Sequence, residues 1–170
     1  MDQLPNVTFE ERRIIYRNFG GEPDRFNPKG GSRTYSVVLE VDEGERMAAD
    51  GWNIKFPEPR EEGDPPIATL KINVKYGGRG RPPRVVMVSK RPDGKLSKTD
   101  LDESTIKALD WSRIEKADMM IRAWHYDIGG QQGVAAYLVS LWATVDMDAL
   151  EAKYADVPNE TDFSEPIEPD

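Results

Sequence analysis

Residues 67–76 read Ile67-Ala68-Thr69-Leu70-Lys71-Ile72-Asn73-Val74-Lys75-Tyr76, and this order decides the class of fold. Leu70, Ile72, Val74 and Tyr76 fall on one side of an extended chain, with Lys71, Asn73 and Lys75 on the other. A spacing of two is that of a strand, because successive side chains point to opposite faces of a sheet. One apolar face and one charged face fit an antiparallel sheet with one side in water.

Similar signals recur on both sides. Residues 33–41 (Arg-Thr-Tyr-Ser-Val-Val-Leu-Glu-Val) are rich in β-branched and aromatic types and follow Gly30-Gly31. Residues 13–18 read as a strand stopped by Gly20-Gly21, residues 52–56 as a short one, and residues 84–89 as another. Two further strands, 117–128 and 133–145, flank Gly129-Gly130. Between them lie turn-forming stretches: 22–32, the charged proline-rich 57–66, the loop Gly77-Gly78-Arg79-Gly80-Arg81-Pro82-Pro83, and the turn 91–95. Helices are brief: 42–50, with Asp42 as cap and Glu45 three residues on, one or two turns at 103–109, and 147–154. Many short strands with few short helices predict an all-β barrel or sandwich over residues 1–154.

Composition narrows the chemistry. The 170 residues contain no cysteine and one histidine, His125. A disulfide framework, thiol catalysis and a structural zinc site are therefore excluded, and no cofactor is expected. No Gly-x-Ser-x-Gly elbow supports a nucleophilic triad around His125. The glycine-rich loop at 77–81 lacks the Gly-Lys-Ser/Thr ending of a phosphate-binding loop, and Pro82-Pro83 follow where a helix would start. An all-carboxylate magnesium site is chemically open, with Asp42, Glu43 and Glu45, or Asp100, Asp102 and Glu103, as candidates; solvated turns explain the same residues. No run of eighteen apolar residues spans a membrane, and Met1 to Asn6 has none of the features of a signal peptide. A cytoplasmic protein is the expectation.

Charge is unevenly distributed. The formal net charge is −8, but residues 156–170 hold six acids and no base, which leaves 25 acids against 23 bases in the rest. Residues 71–98 hold nine bases and one acid. Within that segment Lys71, Lys75, Arg79, Arg81, Arg84, Lys90 and Arg91 are candidates for holding phosphates along two strands and their loops. Base stacking needs exposed flat rings as well. Tyr35, Trp52, Tyr76, Trp124 and Tyr126 are the main candidates, with Tyr16, Tyr137 and Trp142 in the wider set. Trp124 and Tyr126 share a face, but several rings must lie in the core, and sequence does not say which side of these strands is wet. Residues 155–170, with three prolines among the acids, predict a disordered tail. Phe163 and Ile167, set among Asp162, Glu165, Glu168 and Asp170, suit docking on a basic surface.

The order of several short segments then resembles a family. These are Tyr16-Arg17-Asn18-Phe19-Gly20-Gly21, Arg25-Phe26-Asn27-Pro28-Lys29-Gly30, Arg33-Thr34-Tyr35-Ser36-Val37, Asp50-Gly51-Trp52-Asn53-Ile54-Lys55, the 71–76 strand before Pro82-Pro83, Leu109-Asp110, and Gly133-Val134-Ala135-Ala136-Tyr137-Leu138. Over about residues 14–146 the chain resembles the bacteriophage single-stranded DNA-binding proteins of the oligonucleotide/oligosaccharide-binding fold, related to the helix-destabilising replication protein of T7-like phages. The resemblance implies a five-stranded OB-fold barrel with short helices, long loops and a disordered acidic tail. It implies binding of single strands without strong sequence preference during replication, recombination or repair, in the host cytoplasm. It also implies a tail that recruits replication or recombination proteins, and a homodimer formed by tail exchange. Such tails often end in an aromatic residue; here the last aromatic, Phe163, lies seven residues before the end. A carboxylate-metal nuclease and a β-rich assembly protein are the alternatives.

Overall fold

The computed structural model describes residues 3–25, 28–91 and 93–146. Along the chain run β1 (Val7–Arg12), β2 (Ile14–Asn18), β3 (Arg33–Leu39), α1 (Val41–Ala49), β4 (Ile54–Lys55), β5 (Ala68–Val74), β6 (Arg84–Lys90), β7 (Leu96–Leu101), a 3-10 helix (Ile106–Asp110), β8 (Ile114–Ile128) and β9 (Gln131–Asp146). The expected helix at 147–154 and the tail 155–170 lie outside the described residues. Among the described residues no helix is long and apolar enough to cross a membrane.

Among the described residues all nine strands join one sheet, ordered β1-β8-β9-β5-β3-β2, with β4 on β5, β6 on β9 and β7 on β6. The sheet is not closed into a barrel, which corrects the five-stranded OB-fold barrel expected above. Closure would need a ladder between β1 and β2, and these are successive strands separated by Arg13 alone. Each is bulged, at 9–12 and at 15–18, with positive φ at Glu11 and Tyr16, so each turns to a different partner: β1 to β8 and β2 to β3. The second departure is a branch. β9 pairs in parallel with β5 at two positions, Ile72–Ala136 and Asn73–Tyr137, and then with β6 over seven, from Arg84–Ser140 to Lys90–Asp146. At 16 residues β9 is long enough to serve both.

The apolar side chains read from the alternation meet on one side. Leu70, Ile72 and Val74 of β5 pack with Val37 and Leu39 of β3, Met119 and Ile121 of β8, and Ala136, Leu138 and Leu141 of β9. Each fully buried Leu, Ile or Val contributes about 1.5–3 kcal/mol through the surface it removes from water. α1 lies against this sheet through Gly44, whose missing side chain admits Ala68; a Cβ there would collide with the Ala68 methyl. Its cap differs from expectation. Glu40, not Asp42, is the N-cap and makes no side-chain cap bond, while Asp42 and Glu43 occupy the first turn, where the helix dipole favours acids.

The candidate nucleic-acid interface

The outer face of the sheet is where exposed rings and basic side chains meet. Residues opposite one another in a ladder share a face, so register identifies them. Arg122 pairs with Tyr137, Trp124 with Ala135 and Tyr126 with Gly133. Tyr137 pairs in turn with Asn73, Asn73 with Thr34, and Lys71 with Ser36. The alternate residues, Ile121, Ala123, Ala136 and Ile72, are buried, so this row points away from the core.

Trp124 is 44% exposed. Its ring stacks on Tyr126 at 5.5 Å between centroids and 25° between planes, and meets Tyr137 edge-on at 6.2 Å and 82°. The Arg122 guanidinium lies 4.8 Å from the centre of the Tyr137 ring. Tyr126 is held from behind: Asn53 Nδ2 donates to its hydroxyl at 3.0 Å. Gly133, opposite in register, leaves room for the phenol, and a Cβ there would strike both Tyr126 Oη and Asn53 Oδ1. Asn53 and Gly133 together set where the Tyr126 ring lies beside Trp124. Beside it, Asp50, Gly51, His125, Asp127 and Gln132 contribute to a cavity of about 410 Å³ that also touches Tyr126.

Basic residues approach from the β5 side. Lys71 projects from the outer face of β5, exposed to solvent, and Lys75 is exposed just beyond that strand. The loop carrying Arg79 and Arg81 leaves β5 next to Tyr137 and enters β6 opposite Ser140, so its two ends lie within a few residues of each other along β9. Arg84 stands at the loop's exit, 5.6 Å from the Trp142 ring centre and 3.6 Å from Asp100. Lys90 and Arg91 sit at the other end of β6, about 20 Å away at strand rise. There Lys90 meets Glu115 at 3.8 Å, and Arg91 meets Asp93 at 3.7 Å in the hairpin turn. The structure thus groups Lys71, Lys75, Arg79, Arg81 and Arg84, and separates Lys90 and Arg91 from them.

The stacking candidates divide too. Trp124 and Tyr126 lie on the platform. Tyr35 is fully buried, its hydroxyl donating to Met119 Sδ at 3.1 Å, and Trp52 is also in the core, so neither ring face meets solvent. Tyr76 is half-buried against the core, with Arg33 over its ring at 5.5 Å, and burial raises its pKa. Arg122 was missed because it lies outside the basic segment; its parity with Trp124 was the available signal. Trp111, 74% exposed after the 3-10 helix, was missed because no periodic pattern surrounds it. It neighbours a brace in which Arg17 Nη1 donates to the carbonyls of Leu109 and Ser112, each at 2.6 Å.

Several other chemistry-bearing residues have structural partners. Leu4 N donates to His125 Nε2 at 3.1 Å, which ties the N-terminal segment to β8. Asp42 faces Arg46, Glu43 forms a two-bond pair with Arg12, and Glu103 faces Arg33. Asp102 accepts from Ser104 and Thr105, which holds its carboxyl below the ordinary range. Among the described residues no three histidines or acids converge to hold a metal.

The fold is shared with a solved phage protein. The single-stranded DNA-binding protein of bacteriophage Enc34, as a C-terminal truncation, superimposes with a TM-score of 0.51 at 12% identity over 84% of this chain and 87% of that one. The untruncated Enc34 protein gives 0.50 at 10% over 89% and 88%. Gp2.5, the single-stranded DNA-binding protein of bacteriophage T7, gives 0.39 at 15% over 92% and 96%. No curated protein matches the sequence. A family model described as "Putative phage ssDNA-binding domain" matches residues 1–168, nearly the whole length. The chain belongs to this phage single-stranded DNA-binding domain family.

Proposed function

We infer that this chain is a non-enzymatic single-stranded DNA-binding protein of the phage type, and that the Trp124–Tyr126 platform is where it takes hold of bases. The observation that carries the reading is the coincidence, on one wet face, of a pre-positioned ring stack and the Lys71–Arg84 group of cations. Rings accept any base, at about 1–3 kcal/mol per stacked base, and cations accept any phosphate, so binding is largely independent of sequence. A duplex keeps its bases stacked inside and offers the rings nothing, which favours single strands. Lys71, Lys75, Arg79, Arg81, Arg84 and Arg122 track the backbone, while Trp124, Tyr126 and Tyr137 meet bases. Lys90 and Arg91 extend the positive path for longer strands.

The role extends to protecting single strands during phage DNA replication or recombination in the host cytoplasm. The acidic tail, through Phe163 and Ile167 and their flanking acids, recruits replication or recombination proteins and competes with DNA for the basic face. Homodimer formation belongs to the same reading. The test is a tryptophan-fluorescence titration of the full chain, and of a truncation after Ala155, with a single strand of about 30 nucleotides and with its duplex, at low and moderate salt. Tighter binding of the single strand, weakened by salt and strengthened by truncation, is expected. Absence of binding by both proteins at every salt concentration would overturn the reading in favour of an assembly role.

A further inference from the structure

The sheet has one edge unlike the others. β1 and β2 are interrupted by bulges with positive φ at Glu11 and Tyr16, which twist an edge away from new partners. β4 is two residues long. β7 is six residues long, pairs with β6 from Leu96–Lys90 to Leu101–Val85 without a register shift, and among the described residues has no ladder on its other side. Every residue from Leu96 to Asp100 is exposed, Leu96 by 62%. A regular, unbulged edge whose outer N–H and C=O groups meet no ladder among the described residues is a template for another strand, and natural proteins usually block such edges.

What β7 carries selects the partner. The strand reads Leu96-Ser97-Lys98-Thr99-Asp100-Leu101. Laid antiparallel on itself about Thr99, it sets Lys98 opposite Asp100 and Asp100 opposite Lys98, with Thr99 facing Thr99. Opposite charges directly across a ladder stabilise it, and like charges destabilise it. Sliding the centre to Lys98 sets lysine against lysine, and sliding it to Asp100 sets aspartate against aspartate. The edge is thus self-complementary in one register, as an isologous two-fold contact requires. We propose that a second copy of this chain pairs with β7 through its own β7, antiparallel and centred on Thr99.

The pairing has a geometric consequence. Asp100 lies opposite Val86, and Val86 opposite Trp142, so Lys98 and Asp100 share the face that carries Trp142 and Arg84. Residues across a ladder share a face, so the two copies join into one continuous sheet with both outer faces on the same side. Asp100 then sits between its own Arg84 and the Lys98 of the second copy. Six residues of ladder make a contact well below the standard interface size, so association is weak and salt-sensitive, and strengthens when neighbouring copies share one strand of DNA.

Self-association is measured without DNA, so this inference and the DNA-binding reading fail separately. Sedimentation equilibrium of the full chain is run beside Lys98→Glu, Asp100→Lys and the double variant, each checked for an unchanged melting transition. Each single variant sets like charges face to face twice and is expected to weaken dimerisation at least about tenfold. The double variant restores it, and mixing the two single variants yields a heterodimer. Because the chain has no cysteine, Thr99→Cys supplies a register-specific check that does not depend on those variants. Under mild oxidation it cross-links to itself faster than Asp64→Cys on the 57–66 loop. A parent chain that stays monomeric at all concentrations, single variants that dimerise like the parent, a double variant that fails to recover, or Thr99→Cys that links no faster than Asp64→Cys would each overturn the proposal. A dimer that is lost on truncation after Ala155 but untouched by the charge changes would assign it to the tail instead.

Discussion

Two aromatic pairs in this molecule have almost the same internal geometry and opposite surroundings. Phe19 and Tyr35 stack at 5.0 Å and 28°, and Trp124 and Tyr126 at 5.5 Å and 25°. The first pair is completely buried, with Tyr35 on the inner side of β3, while Trp124 of the second stands in solvent on the outer face of β8. Stacking geometry alone therefore says nothing about role. The buried pair contributes burial and packing to the fold. The exposed pair contributes little to the fold, yet Asn53 and Gly133 hold it in place. A ring kept rigid at the surface has its ordering cost met before a ligand arrives, which makes it a better platform for a base than a mobile one.

The largest test of this contrast is on the core side. Tyr35→Ala removes a fully buried ring, and chemical denaturation should show a loss of about 3–5 kcal/mol. On the surface side, Gly133→Ala pushes the Tyr126 phenol out of register with Trp124. It should cost roughly 1 kcal/mol of single-strand affinity, about fivefold by fluorescence titration, with a melting temperature close to the parent's. Lys71→Ala leaves the platform intact and is expected to remove one phosphate contact. The slope of log affinity against log salt should then fall by about 0.7, the single-strand value per phosphate.

The smallest effect concerns pH. Burial disfavours the phenolate of Tyr35, so in the folded chain this group titrates above its ordinary value of 10.0. Its contribution to stability is complete below that value. It falls as the pH rises past it, because the unfolded chain then gains from ionising a group that the fold keeps protonated. Tyr35→Phe should flatten the alkaline decline in denaturation midpoint, with little change at neutral pH beyond the loss of the bond to Met119.

The parts of the fold that were legible in the sequence are those with one wet and one dry face. β5 was readable because Leu70, Ile72 and Val74 are buried while Lys71 is not. β3 was readable from its β-branched run, but its Tyr35, counted among the stacking rings, is buried with Val37 and Leu39, whose parity it shares. β7 left no trace, since exposure along almost its whole length removes any hydrophobic period. The open sheet was also invisible: closure depends on whether β1 and β2 pair with each other, a non-local choice made by the bulges around Arg13. For the site, sequence parity put Trp124 and Tyr126 together. The wet side of β8 was set by the alternation of Ile121 and Ala123 with Arg122 and Trp124, which needed the register with β9 to become decisive.

The exposed pair, and not the buried one, is expected to meet DNA. This is tested most directly by titrating the parent chain and Trp124→Ala with the same single strand at one salt concentration, on proteins with matching melting curves. Trp124→Ala is expected to weaken binding by about 1–3 kcal/mol, roughly 5- to 150-fold, while the fold is unchanged. An unaltered affinity in a correctly folded Trp124→Ala protein would contradict it and move the interface off the β8–β9 face.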